Sequence, residues 1–185
     1  LAYLFQENKC HRRKLSDVKR NDRERLFKDT ELIMDFSTSI AVERKLADEE
    51  HTFRRCTSFL NPKGDDVVLL IEDKDRNSRL DLLEMDYYRN LIVDERFALH
   101  LEQSGTVRTN TFSCRSESMI LNYENVRVLS AIISKQIRKY YTLGQACLSI
   151  WHFDAEKGTV SSLPMTITNW HHEVLGDIQV ISPML

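Results

Sequence analysis

The sequence predicts a mixed α/β domain closed by a small antiparallel sheet, and three observations carry that expectation. Leu32-Ile33-Met34 is a short apolar run ending at Asp35, and Ile40, Val42, Leu46 and Ala47 then fall roughly on one helical face. Residues 122–141 show the longest helical stripe in the chain, made by Val126, Leu129, Ile133, Ile137 and Tyr140. The last forty residues lose that period and read as short strands joined by polar turns.

Composition bounds the possibilities before any motif is considered. A chain of 185 residues is long enough for one sizeable core or two small lobes. With 42% hydrophobic and 29% charged residues it has the balance of an ordinary globular protein. Lys and Arg total 26 against 28 Asp and Glu, a formal net charge of −2, so there is no electrostatic footprint for nucleic acid or an anionic membrane. The longest apolar run, Val67 to Ile71, suits a buried strand and falls far short of the roughly 20 residues that span a bilayer.

Taken in order, residues 1–30 form a charged linker or surface segment. Lys9 to Arg25 holds eight Lys or Arg in seventeen positions, and interleaved acids favour a solvated surface over a phosphate-binding arm. Residues 31–145 make the α/β body. The Leu32–Asp35 strand leads through Ser37, Thr38 and Ser39 into a helix, with Thr38 or Ser39 as its cap, a βαβ-type beginning. Arg55–Leu60 and Val67–Glu72 are β-rich, and Asn61-Pro62-Lys63-Gly64-Asp65 between them is a turn on its chemistry. Helical spacing resumes at Leu80, Leu83, Tyr87 and Leu91 and continues through Phe97, Leu99 and Leu101 until Gly105. Val107–Phe112 is strand-like, and Gly144 stops the long helix of 122–141. Residues 146–185 read as a small β-sheet closing the same domain, from the runs 146–153, 158–163 and 178–181.

Self-contained catalytic signatures are missing. There is no Gly-x-Gly-x-x-Gly, no phosphate-cradling Gly-x-x-x-x-Gly-Lys, no Gly-x-Ser-x-Gly and no His-Glu-x-x-His. Asp73, Asp75, Asn77, Asp81 and Glu84 match a calcium-loop spacing, but Ser78 stands where the sharp turn wants glycine. A strand-to-helix turn with capping carboxylates explains them more simply. His171 and His172 beside Trp170, and His152 beside Trp151, read as structural or surface histidines.

Cys10, Cys56, Cys114 and Cys147 contain no Cys-x-x-Cys pair, so no zinc ribbon is expected. With no secretory leader in view, the thiols are expected to be reduced and the compartment cytoplasmic. The chain opens on Leu1 without a methionine, so an amino-terminal segment is expected before it. Cys114 stands where a strand-like run gives way to a polar turn, next to Arg115. It is either a nucleophile with a depressed pKa or an idle thiol.

The segment Glu31 to Arg44, ELIMDFSTSIAVER, resembles ThiF-like, ubiquitin-activating-type adenylating enzymes, in which a strand ends in an Asp-x-Ser/Thr turn beside bound ATP. The runs Phe59–Gly64, Leu69–Asp73, Asp75-Arg76 and Leu83–Arg89 look like the bacterial branch, often encoded with a conjugating-enzyme-like protein and a metallo-deubiquitinase-like peptidase. The resemblance covers residues 20–185 and implies the carboxyl-terminal portion of a Rossmann-like adenylation domain.

It also implies ATP and magnesium as cofactors, a ubiquitin-like protein as partner, and a homodimer. Asp35, Ser37 and Thr38 would lie at the nucleotide. Thr38 occupies the position where the family commonly carries a magnesium-holding carboxylate. Cys114 in Cys-Arg-x-x-Ser would be the thioester nucleophile, with Arg115 beside it. The family's glycine-rich loop would precede Leu1. The alternative is an interaction module that keeps the fold without the chemistry.

Overall fold

The computed structural model describes residues 27, 30–36, 53–102, 108–109, 117–118, 122–168, 170–175 and 178–183. The chain divides after Glu31 into two compact units, and the architecture below is that of the second, residues 32–185.

Its centre is a five-stranded mixed sheet. The strands are β1 (Leu32–Asp35), β2 (Arg54–Leu60), β3 (Asp66–Ile71), β6 (Cys147–Asp154) and β7 (Thr159–Pro164), hydrogen-bonded in that order. β1 runs parallel to β2 in the register Asp35 to Thr57, and every other adjacent pair is antiparallel. A parallel pair needs a crossover of a dozen or more residues, which the stretch 36–53 supplies. The antiparallel β2–β3 pair needs only the short turn that Asn61 organises. Asn61 Oδ1 accepts the N–H groups of Gly64 (2.9 Å), Asp65 (3.1 Å) and Asp66 (3.0 Å), while Gly64 takes a left-handed φ of 73°.

Among the described residues, two helices cover the sheet, one on each face. α1 (Leu80–Val93) buries Leu80, Leu83 and Tyr87 against Val68, Leu70, Leu148 and Ile150. α2 (Tyr123–Leu143) buries Leu129, Ile133 and Ile137 against Val67, Leu69, Ile71 and Trp151. Alternate residues of β3 thus serve opposite cores, which is why this strand is a continuous apolar run. Asn122 caps α2 by accepting the N–H of Glu124 at 2.9 Å, and Gly144 ends it with φ 70°. Arg54, on the α2 side, donates to the carbonyls of Tyr140, Tyr141 and Gln145 at that end and to Glu72 O.

Two expectations change. α1 stops at Val93, short of Leu101, because Asp94 leaves the helical region and its carboxylate accepts the N–H of Arg96 at 3.0 Å. A 3-10 turn, Glu95–Phe97, follows; Phe97 is buried, while Leu99 and Leu101 are exposed. The runs 146–153 and 158–163 are β6 and β7 of the main sheet, not an appended one, since β6 pairs with the whole of β3. Only the last run, in β9 (Ile178–Pro183), lies apart, paired with β8 (Trp170–Leu175). Of the strand expected over 107–112, Arg108–Thr109 is described as β4, paired with β5 (Glu117–Ser118). The helix expected from Ile40 lies outside the described residues.

Candidate functional site

The chemistry-bearing groups gather at one end and on one face of the sheet. β3 runs back from the end at which β1 and β2 finish, and β6 returns to it, so Asp35, Asp66 and His152 lie toward the same edge. In open α/β sheets ligands bind beyond the carboxyl ends of parallel strands. Leu32 and Met34 pack on the α2 side, which turns Asp35 to the α1 side. Asp66 shares that side, in step with Val68 and Leu70. The two aspartates remain separate: Asp66 is about four residues further along and two strands across, ~16 Å by strand geometry.

At the first place, Asp35 is the buried last residue of β1, and Thr57 Oγ1 donates to its carbonyl at 2.9 Å. Of the other residues singled out from the sequence, Ser37, Thr38, Cys114 and Arg115 lie outside the described residues.

At the second place, one buried carboxylate serves two imidazoles. Asp66 Oδ2 is 2.6 Å from His100 Nδ1, and Asp66 Oδ1 is 2.7 Å from His152 Nδ1. His100 is buried, and its Nε2 lies 3.0 Å from the Tyr87 hydroxyl. A neutral His100 with its proton on Nδ1 satisfies both contacts, donating to Asp66 and accepting from Tyr87. Asn61 Nδ2 donates to Asp65 Oδ1 (2.7 Å), Asp66 Oδ2 (3.2 Å) and the His100 carbonyl (3.2 Å). The network joins the hairpin turn, α1, the turn after the 3-10 helix and the end of β6.

The chain matches no protein-family model and no curated protein.

Asp65, Asp66 and His152 each offer a ligand atom within 4.8 Å of the others. Asp66 Oδ1, a carboxylate oxygen, accepts from His152 Nδ1, so the arrangement is a carboxylate-oriented imidazole whose Nε2 keeps its lone pair. The calcium-like spacing is a turn instead. Asp73 accepts the N–H groups of Ser78 (2.6 Å) and Asn77 (3.2 Å), and Asp81 pairs with Arg79 at 3.0 Å. Arg76 takes the left-handed φ of 57° there. Glu72 Oε1 then receives the first helical N–H of α1, that of Leu80, at 2.8 Å.

Sequence reasoning missed the Asp66 centre. His152 falls at alternate spacing with Leu148 and Ile150, which places it on their face. That Asp66 lies directly opposite depends on β3 pairing with β6, 86 residues away, and no local pattern encodes that. Cys56 and Cys147 are buried free thiols on the α2 side, both in register with Ile71. With β3 between them their backbones are ~10 Å apart, beyond the reach of a disulfide. His171 and His172 are consecutive residues of β8. No described helix is long and apolar enough to cross a membrane.

Proposed function

We propose that this chain is part of an ATP-dependent enzyme that adenylates, and then thioesterifies, the carboxyl terminus of a ubiquitin-like protein, in the bacterial branch of the ThiF-like family. The observation that supports this best is Asp35. It ends β1 of the parallel pair, buried, at the edge of the sheet where α/β proteins hold nucleotides. The motif ELIMDFSTS that carries the family resemblance puts the same aspartate beside ATP.

A buried carboxylate at a strand end suits a magnesium ligand, and Asp35 would hold the ion, with Ser37 and Thr38 at the nucleotide. Bound Mg-ATP would supply the electrophilic α-phosphorus. The part of this chain is to present Asp35 and the sheet edge against which the partner's carboxyl terminus is laid. Cys114, with Arg115 to favour its thiolate, would accept the acyl group. A conjugating-enzyme-like protein, a homodimeric assembly and a cytoplasmic location belong to the same reading.

ATP–pyrophosphate exchange by the full-length gene product, with the candidate ubiquitin-like protein added, tests the proposal. Exchange that depends on that protein, and falls in Asp35→Asn, supports it. A folded, complete protein without exchange leaves the second reading, a non-catalytic interaction module, which Thr38 favours by standing where the family has a carboxylate.

A further inference from the structure

A second reactive centre sits at the head of β3. We propose that His152 is a proton-accepting imidazole for a protic nucleophile, with Asp66 as its positioning residue and an activated acyl compound as the substrate class. This is independent of the adenylation reading, because the centre is about 16 Å from Asp35 by strand geometry.

The orientation of the ring carries the inference. Asp66 is buried, and its Oδ1 at 2.7 Å selects the tautomer of His152 with the proton on Nδ1. The His152 side chain is 39% exposed, and Nε2 has no hydrogen-bond partner among the described residues. A lone pair is thus offered outward from a ring held from behind. The backing is itself fixed: Oδ2 is occupied by His100 and Asn61, and His100 by Tyr87. An exposed histidine serving only as surface needs none of this support.

Carboxylates stand beside the ring as well. Asp65 and Asp66 each bring a carboxylate oxygen within 4.8 Å of a ring nitrogen, and Lys63 is engaged with Glu102 at 2.8 Å. An imidazolium formed at His152 is therefore compensated at once. The proton of a water, hydroxyl or thiol X–H moves to Nε2, and the freed X lone pair forms a bond to the acyl carbon. The leaving group departs with its bonding pair and takes the proton back from Nε2. The Nδ1 proton stays on the ring throughout. A base with no oxyanion donor described beside it suits electrophiles whose leaving group is already good, such as a thioester, aryl ester or acyl phosphate.

Release of nitrophenolate from p-nitrophenyl acetate by the whole chain tests the inference. His152→Gln and Asp66→Asn should each lower the rate at least about tenfold, with a normal solvent deuterium isotope effect in the parent. A histidine reacting as a free surface imidazole would lose the rate in His152→Gln but keep it in Asp66→Asn, and that result overturns the proposal. Nitrogen-15 NMR of the unaltered protein supplies a measurement that needs no variant to fold. His152 protonated on Nδ1 supports the assignment. His152 protonated on Nε2, or a parent rate no greater than in His152→Gln, overturns it.

Discussion

Arg55 and Glu72 lie side by side on the β2–β3 pair with Nε and Oε1 3.2 Å apart, and their side chains are 1% and 0% exposed. Burial pulls the Arg55 guanidinium below its ordinary pKa, and Glu72 opposes that shift. Glu72 does more than neutralise a charge. Its Oε2 accepts the Arg55 N–H at 2.9 Å and Arg76 Nε at 3.2 Å, and its Oε1 starts α1 at Leu80. One carboxylate thus ties the hairpin to the helix that follows it.

Glu72→Gln is expected to remove more than a hydrogen bond, because it takes a buried carboxylate away from the buried Arg55 guanidinium. Breaking a buried pair from one side costs about 3–5 kcal/mol. Urea denaturation of the two proteins side by side gives the difference. A midpoint close to that of the parent would show that Arg55 finds other compensation.

Asn61 is the matching point at the opposite end of the hairpin. Asn61→Ala withdraws the acceptor of three backbone N–H groups and the donor to Asp65, Asp66 and the His100 carbonyl. Several buried groups then lose partners, at about 1–3 kcal/mol each where water cannot replace them. A loss of at least about 2 kcal/mol is expected, with the histidine NMR signals of His100 and His152 shifted together. Signals that stay in place would mean that the turn does not hold the Asp66 centre.

At the end of α2, Gly144→Ala places a Cβ on a left-handed residue, 3.4 Å from Lys74 Cβ. Backbone strain dominates, so a loss of about 1 kcal/mol is expected. Gly158 has φ 64° but nothing within 4 Å, so Gly158→Ala isolates the strain from the crowding. Equal losses in the two variants would show that the Lys74 contact contributes nothing.

What the sequence disclosed divides along sequence distance. Asn122 and Gly144 bracket α2 through caps made within a few residues, and the Asn61–Asp65 turn declares itself by its own chemistry. Asp35 at the end of β1 was legible for the same reason. The end of α1 was not, because apolar spacing runs on to Leu101 while a single carboxylate, Asp94, turns the chain out of the helix. The place of β6 beside β3 was equally hidden. A strand of the same composition could close a separate sheet, and only long-range pairing puts Ile150 opposite Val68 and His152 opposite Asp66.

The cysteines of the α2-side core make stability depend on alkaline pH. Burial pushes the Cys56 thiol up to about 12 and Cys147 up to about 11, against an ordinary 9.0. Each thiol holds its proton more tightly in the folded chain, so the associated stability is fully present below pH 9. It declines as pH rises above that value and is lost once the folded thiols ionise, near 11 for Cys147 and 12 for Cys56. Denaturation midpoints should therefore fall from neutral pH to about pH 11, and fall less steeply in the Cys56→Ala/Cys147→Ala double variant. Tyr140, whose hydroxyl burial also pushes up, retains part of the slope in that variant. At neutral pH the same burial shields both thiols from iodoacetamide until denaturant is added, which mass spectrometry of the labelled peptides reads directly. Native-state labelling of Cys56 at the rate of an exposed cysteine would mean that β2 opens locally, and the alkaline slope should then be absent too.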